Sequence, residues 1–214
     1  MKYLIKFSKQ GYIKYISHLD MIRLFKRAFK KSGLHLEHSQ GFNPHPKMTF
    51  AQPLSLGYTS VGELLEIDTK DDFKTDELVK KLGDVMPQGI SILDCKILDE
   101  KTKGVAGKIT EAEYEISIVD TNLEIDKIEK FISQKEIIAY KKQKKKKELK
   151  AVNIKPMIRD YDLKQCDNKI IMTTKIDCGS TSNLNPDLII QALSSYLGSE
   201  IPAENVEIQR NYLK

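Results

Sequence analysis

Strand-period and helix-period segments follow one another along this chain in an order that few folds accommodate. Tyr3, Ile5 and Phe7 alternate with Lys2, Leu4 and Lys6, the spacing of a strand with one buried face. Tyr12 to Ile16 reads as a short extension of it. Ser17 and Asp20 then have capping-box spacing, so a helix begins there and runs to about Lys31, where Gly33 ends it. Its core stripe is Met21, Ile22, Phe25, Ala28 and Phe29, while Arg23, Arg27 and Lys30 share a polar face. Leu34 to His38, Lys47 to Leu54 and Val61 to Thr69 read as strands. A helix capped by Thr75 carries Leu78, Val79, Leu82 and Val85 to Pro87, and Ile90 to Leu98 is a final strand. The order is βαββαβ, the ferredoxin-like plan of an antiparallel sheet with two helices on one face.

The second half repeats that plan. Tyr114, Ile116 and Ile118 alternate in a strand, and Ile125, Ile128, Phe131 and Ile132 mark a helix. Ile137 to Lys141, Val152 to Met157 and Lys169 to Ile176 follow as strands. Asn185 and Pro186 open a helix as cap and first-turn proline, its core side being Ile189, Leu193 and Tyr196, and Val206 to Arg210 closes the chain as a strand. The expectation is an α+β protein of two tandem ferredoxin-like domains, residues 1–98 and 111–214, joined by a polar linker over 99–110 that holds Gly104 and Gly107.

At 214 residues such domains can bury cores without a staple. Cys95, Cys166 and Cys178 are odd in number and form no CxxC pair, which suits a reducing compartment and excludes a zinc ribbon or an iron–sulfur site. No apolar run nears the roughly 18 residues that span a bilayer, and Lys6 interrupts the opening segment too early for a signal peptide. A soluble, cytoplasmic protein with no cofactor is expected.

Charge points to the first domain. All four histidines, His18, His35, His38 and His45, lie in the first 45 residues, and residues 1–47 carry a balance of +8 within a chain whose net charge is +5. Imidazoles beside a dense cationic surface suit a phosphorylated polyanion. Ser39 to Lys47 is the stiffest loop: Gly41 permits a positive φ, while Pro44 and Pro46 push Asn43 and His45 into extended conformations. His45 is thereby held ready to bind or react. His18, at the first helical position, either stays neutral against the helix dipole and accepts a proton, or packs over Met21 and Ile22. His35 and His38 have HxxH spacing, but on a strand they face opposite sides and make no metal site. Glu63 interrupts the apolar face of Val61, Leu65 and Ile67 and should pair with Arg23, Lys47 or a histidine.

In the second half, the run KKQKKKK over 141–147 reads as a solvated hairpin tip. Lys155 and Arg159, with the rigid Pro156 between them, are better placed for an ordered contact. The glycine-bearing loop over 179–185 is neither a Walker loop nor a dinucleotide fingerprint.

The stretches SHLD over 17–20 and SQGFNPHPK over 39–47, with Ser60 and Glu63 after them, resemble the fingerprints of a radical-SAM-associated family of uncharacterised bacterial proteins. The resemblance covers about residues 1–100. It implies an accessory domain that handles a substrate for a radical-SAM partner enzyme. This chain has no CxxxCxxC motif and does not hold that enzyme's cluster itself. The tandem architecture is also similar to that of CRISPR repeat-processing endoribonucleases, an analogy of fold and not of site.

Three functions follow as expectations. In the first, the chain binds RNA for a radical-SAM enzyme: Arg23, Arg27, Lys30 and Lys47 contact phosphates, Ser17, Asp20, Ser39, Gly41, Phe42, Asn43, His45 and Glu63 complete the site, and Lys155 and Arg159 add a second-domain contact. In the second, it is a metal-independent endoribonuclease in which His45 and His18 share the proton transfers and Lys47 stabilises the phosphorane. In the third, it is an adaptor that docks the enzyme through the same loop. The first two require the helix start and the proline-stiffened loop to meet in one cationic pocket.

Overall fold

The computed structural model describes residues 1–99, 104–119, 123–142 and 149–214, and its chain groups into two units, Met1–Ile109 with Arg210–Lys214, and Thr110–Gln209. In the first unit, strand β1 (Lys2–Lys9) turns Tyr3, Ile5 and Phe7 inward, each at most 1% exposed. Helix α1 (His18–Ser32) lays Met21, Phe25, Ala28 and Phe29 on that face, and Phe7 meets Phe25 edge-on with ring centres 4.9 Å apart. Each such buried ring contributes roughly 1.5–3 kcal/mol of transfer free energy.

Both ends of α1 form as the sequence predicts. The Ser17 hydroxyl accepts from the Asp20 amide at 3.1 Å and donates to the Asp20 carboxylate at 2.7 Å, so the cap is closed on both sides. Gly33, at a φ of 73°, turns the chain out of the helix.

The unit continues through β2 (Met48–Phe50), β3 (Thr59–Asp68), α2 (Thr75–Gly83) and β4 (Ile90–Leu98). β1 pairs antiparallel with β3 and β4, and β2 antiparallel with β3, giving the order β4-β1-β3-β2 of a ferredoxin-like sheet. The buried stripes of α1 and α2, including Leu78 and Leu82, share one core. Residues 210–214 run beside β3, where Gly62 leaves the room they need: a Cβ there would stand 2.4 Å from the Asn211 carbonyl oxygen.

The second unit holds β5 (Glu111–Val119), α3 (Ile125–Ile132), β6 (Ile138–Lys142), β7 (Leu149–Asn153), β8 (Ile158–Cys166), β9 (Lys169–Asp177), α4 (Pro186–Leu197) and the first half of β10 (Val206–Leu213). Its order is β10-β5-β9-β8, the same ferredoxin-like arrangement, with β6 and β7 paired as a separate hairpin. Asn185 caps α4 by accepting from the Asp187 amide, and Pro186 takes the first turn. Ile189 and Leu193 are buried, whereas Tyr196 is 45% exposed and leans on Phe131. The protein is thus α+β with two ferredoxin-like units.

Several sequence expectations need correction. Tyr12 to Ile16 is no strand: Gly11, at a φ of 61°, breaks the extension and Gly11–Tyr15 winds into a 3-10 turn. Leu34 to His38 keeps only the bridges Leu36 to Thr69 and His38 to Pro46, and β2 stops at Phe50, short of Pro53 and Leu54. Thr75 is the first helical residue, not the cap, which is Lys74 without a side-chain bond. The segments 137–141 and 152–157 are not sheet neighbours of β9. That place belongs to β8, an edge strand whose mostly exposed side chains show no apolar alternation. Residues 210–214, expected in the second domain, group with the first.

Candidate functional site

Arg23, Lys26, Arg27, Lys30 and Lys31 stand exposed on α1 against the single carboxylate of Asp20. Spacing by four places Arg23, Arg27 and Lys31 along one edge of a surface groove of about 440 Å³. Ile13, Ile16, Leu24, Ala28, Val85 and Pro87 supply its apolar floor and far wall. Arg23 Nη1 donates to Asp20 at 2.9 Å, and together with the Ser17 hydroxyl this holds the Asp20 carboxyl below its usual range, the Ser17 bond being the larger cause. Among the described residues Arg27 and Lys31 make no hydrogen bond or ion pair, which leaves their donors for a ligand. Lys30 is exposed but outside the groove.

A second constellation lies on the core side of the helix start. His18 presents its ring edge-on to Phe50, centres 5.4 Å apart, and lines a cavity of about 20 Å³ with Phe7, Lys9, Gln52 and Glu63. That volume admits one water. Burial, and then the charge of Lys9, holds the His18 imidazole below its usual 6.5 and favours the neutral ring. Lys9 is 4% exposed and donates to the carbonyls of Lys14 and Ile16, both at 3.3 Å. Burial lowers its pKa against the opposing pull of Glu63. Glu63 is paired with neither Arg23, Lys47 nor a histidine. Its partner is Arg210, whose Nε donates to one carboxylate oxygen at 2.8 Å and whose Nη2 donates to the other and to the Gln52 carbonyl.

The proline-bearing loop bonds within itself and lines no part of this cavity. His38 bridges Pro46, the Ser39 amide donates to the His45 carbonyl at 2.8 Å, and the His45 amide returns a bond to the Ser39 hydroxyl at 3.0 Å. Gly41 takes a φ of 130°, and Phe42, Asn43 and His45 are exposed, Phe42 completely. Lys47 spends its ammonium on Glu37 at 2.8 Å and Asp68 at 3.7 Å.

Lys9 pairs with Ser60 at one end of β3, and the ring that His18 meets, Phe50, pairs opposite Leu65. The loop hangs from the other end, where the Glu37 amide donates to the Asp68 carbonyl and the Lys47 amide to that of Glu37. The cavity that His18 lines includes no residue of the loop, and the His45 backbone bonds within the loop, so the two imidazoles are presented separately. The RNA-binding and nuclease expectations both rested on a shared pocket; the first rests instead on the α1 groove, and the paired imidazoles of the second are not brought together.

The remaining candidates are engaged by groups of the protein itself. Arg159, on β8, donates to Asp177, Glu111 and the Thr110 carbonyl. Lys155 lies in a 3-10 turn and donates to the Ile132 carbonyl. His35 faces Asp71 at 3.3 Å. Of the lysine run, residues 143–147 lie outside the described residues.

Sequence reasoning missed Lys9, Lys31, Gln52 and Arg210. Two of them carried a signal: Lys9 continues the inward series Tyr3, Ile5, Phe7, and Arg210 follows Ile208 at the same period, so each is a charge on a core-facing position.

A search among curated proteins finds no match. Among solved structures 28 chains match. One of them, from "Crystal Structure of a Cbf5-Nop10-Gar1 Complex", is similar with 11% identity and a TM-score of 0.54 over 99% of this chain and 48% of its own. The chain thus spans about half the length of that solved chain, and at such identity the likeness is one of fold. No helix among the described residues is long and apolar enough to cross a membrane. The sequence profile of a family described as "Uncharacterized protein conserved in bacteria (DUF2344)" matches residues 2–186, from β1 to the first residue of α4, and the chain belongs to that family.

Proposed function

We propose that this chain is an RNA-binding accessory protein that holds the phosphate backbone along the α1 groove and presents the strand to a radical-SAM enzyme. The observation that carries the reading is the groove itself: Arg23, Arg27 and Lys31 in register along an apolar floor, with Arg27 and Lys31 unpaired among the described residues. Guanidinium and ammonium groups set at one-turn intervals suit a chain of phosphates, and each neutralised phosphate releases counterions. The partner class comes from the resemblance of Ser17 to Asp20 and Ser39 to Lys47 to radical-SAM-associated proteins. Phe42, fully exposed and not among the residues that line the groove, is the residue we assign to docking that partner.

Binding of labelled RNA across a salt series tests the reading. The affinity should fall steeply as salt rises, and Arg23→Glu with Arg27→Glu should abolish it. Salt-independent binding, or a charge-reversed variant that binds as the parent does, would refute the groove. Co-purification of the radical-SAM enzyme should be lost in Phe42→Ser while RNA binding persists.

A further inference from the structure

Tyr12 is 92% exposed and Tyr15 61% exposed, two side chains that nothing in the preceding reading uses. Both belong to the 3-10 turn Gly11–Tyr15, and their neighbours Ile13 and Ile16 line the α1 groove. Side chains three apart on a 3-10 helix eclipse one another, with about 6 Å of rise between them. On that geometry the two rings leave the turn on one side, from backbone positions offset by close to the two van der Waals contacts, of roughly 3.5 Å each, that one flat ring between them would need. Lys14 holds its ammonium 5.3 Å from the Tyr15 ring centre, adding positive charge at the platform.

The turn is also fixed before any ligand arrives. The buried Lys9 ammonium donates to the carbonyls of Lys14 and Ile16. The Gln10 amide donates to the Gly89 carbonyl at 2.8 Å, and the Gly57 amide donates to the Lys14 carbonyl at 2.9 Å. A turn whose backbone is fixed at the edge of a cationic groove has only its side chains left to order on binding.

Resting on the RNA reading of the groove, we propose that the ligand is single-stranded, with unpaired bases stacking on Tyr12 and Tyr15 while its phosphates follow Arg23, Arg27 and Lys31. Unpaired bases offer π-faces to aromatic side chains, and a duplex, whose bases are stacked on each other, offers them only at its ends. Lys9 acts here as a positioning residue, setting the turn and touching no ligand.

Fluorescence anisotropy of the full chain with a labelled 12-nucleotide RNA, single-stranded or annealed to its complement, tests the proposal. The parent should prefer the single strand. Tyr12→Leu with Tyr15→Leu should weaken that binding by at least about tenfold, with the salt slope unchanged, and Tyr12→Phe with Tyr15→Phe should bind as the parent does. A leucine variant that binds like the parent, or a parent that prefers the duplex, would overturn the stacking platform and leave the groove standing so long as the Arg23 and Arg27 variants still lose affinity. A parent that binds neither RNA overturns both. Thermal unfolding of the leucine variant should match the parent, since both rings lie in solvent.

Discussion

Arg210 and Glu63 form a two-pronged ion pair with both side chains at most 5% exposed, joining residues 147 apart in sequence. A charge pair at this depth stabilises little compared with well-packed apolar residues, but breaking one side leaves the other charge stranded. Arg210→Ala should therefore destabilise the first unit by about 3–5 kcal/mol, while Glu63→Met combined with Arg210→Met should restore most of that loss. Urea unfolding followed by the signal of the first unit decides it. Equal stability for the single and double variants would contradict the pair's assignment as a buried charge couple.

The imidazole of His18 gives a pH signature. Because burial, aided by Lys9, holds its native pKa below 6.5, the unfolded chain takes up this proton first as pH falls. Its contribution to stability is complete above pH 6.5 and is lost progressively as pH drops through the native value. An NMR titration of the ring should give a midpoint under 6.5, and Lys9→Met should move it upward only in part, since burial is the larger cause. His18→Gln should remove this share of the acid sensitivity. A midpoint at or above 6.5 would mean that the ring is solvated and charged.

How much of this was legible beforehand varies by element. β1 and α1 announced themselves because alternation, cap and terminal glycine all agreed at Tyr3 to Gly33. β8 was hidden: an edge strand exposes both faces, so Asp160, Asp162 and Lys164 cost nothing in water and erase the period. The site was half legible. The cationic face of α1 follows from spacing, but whether His18 meets His45 is a matter of tertiary distance that no local pattern encodes, and the cavity at His18 includes no residue of the loop. Glu63, a carboxylate on a buried face of its strand, needs a partner by its position alone. That partner came from the last strand, which no local pattern specifies.

The cysteines should differ sharply in reactivity. Cys95 and Cys178 are buried, and burial, with Asp94 beside it, pushes the Cys95 thiol up to about 12. Cys166 ends an exposed strand. Thiolate is the reactive form, so iodoacetamide at pH 8 should label Cys166 alone in the native protein and all three thiols in urea. Peptide mass analysis reads the result, and native labelling of Cys95 at a rate near that of Cys166 would contradict its burial.

Lys47 and Arg159 provide the sharpest contrast with Arg27. Both looked suited to phosphate from sequence, yet Lys47 sits between Glu37 and Asp68, which raise its pKa, the Glu37 bond foremost. Arg159 gives its donors to Asp177, Glu111 and the Thr110 carbonyl. A cation already satisfied by carboxylates must break those bonds to take a phosphate, and the exchange gains little. Lys47→Ala and Arg159→Ala should thus leave RNA affinity within about twofold, whereas Arg27→Ala should reduce both the affinity and the salt slope, the slope by about 0.7–0.9. The three variants titrated side by side over one salt series make the comparison direct. If Lys47→Ala lost as much as Arg27→Ala, the ligand would have to reach the loop end of the unit, and the groove alone could not be its path.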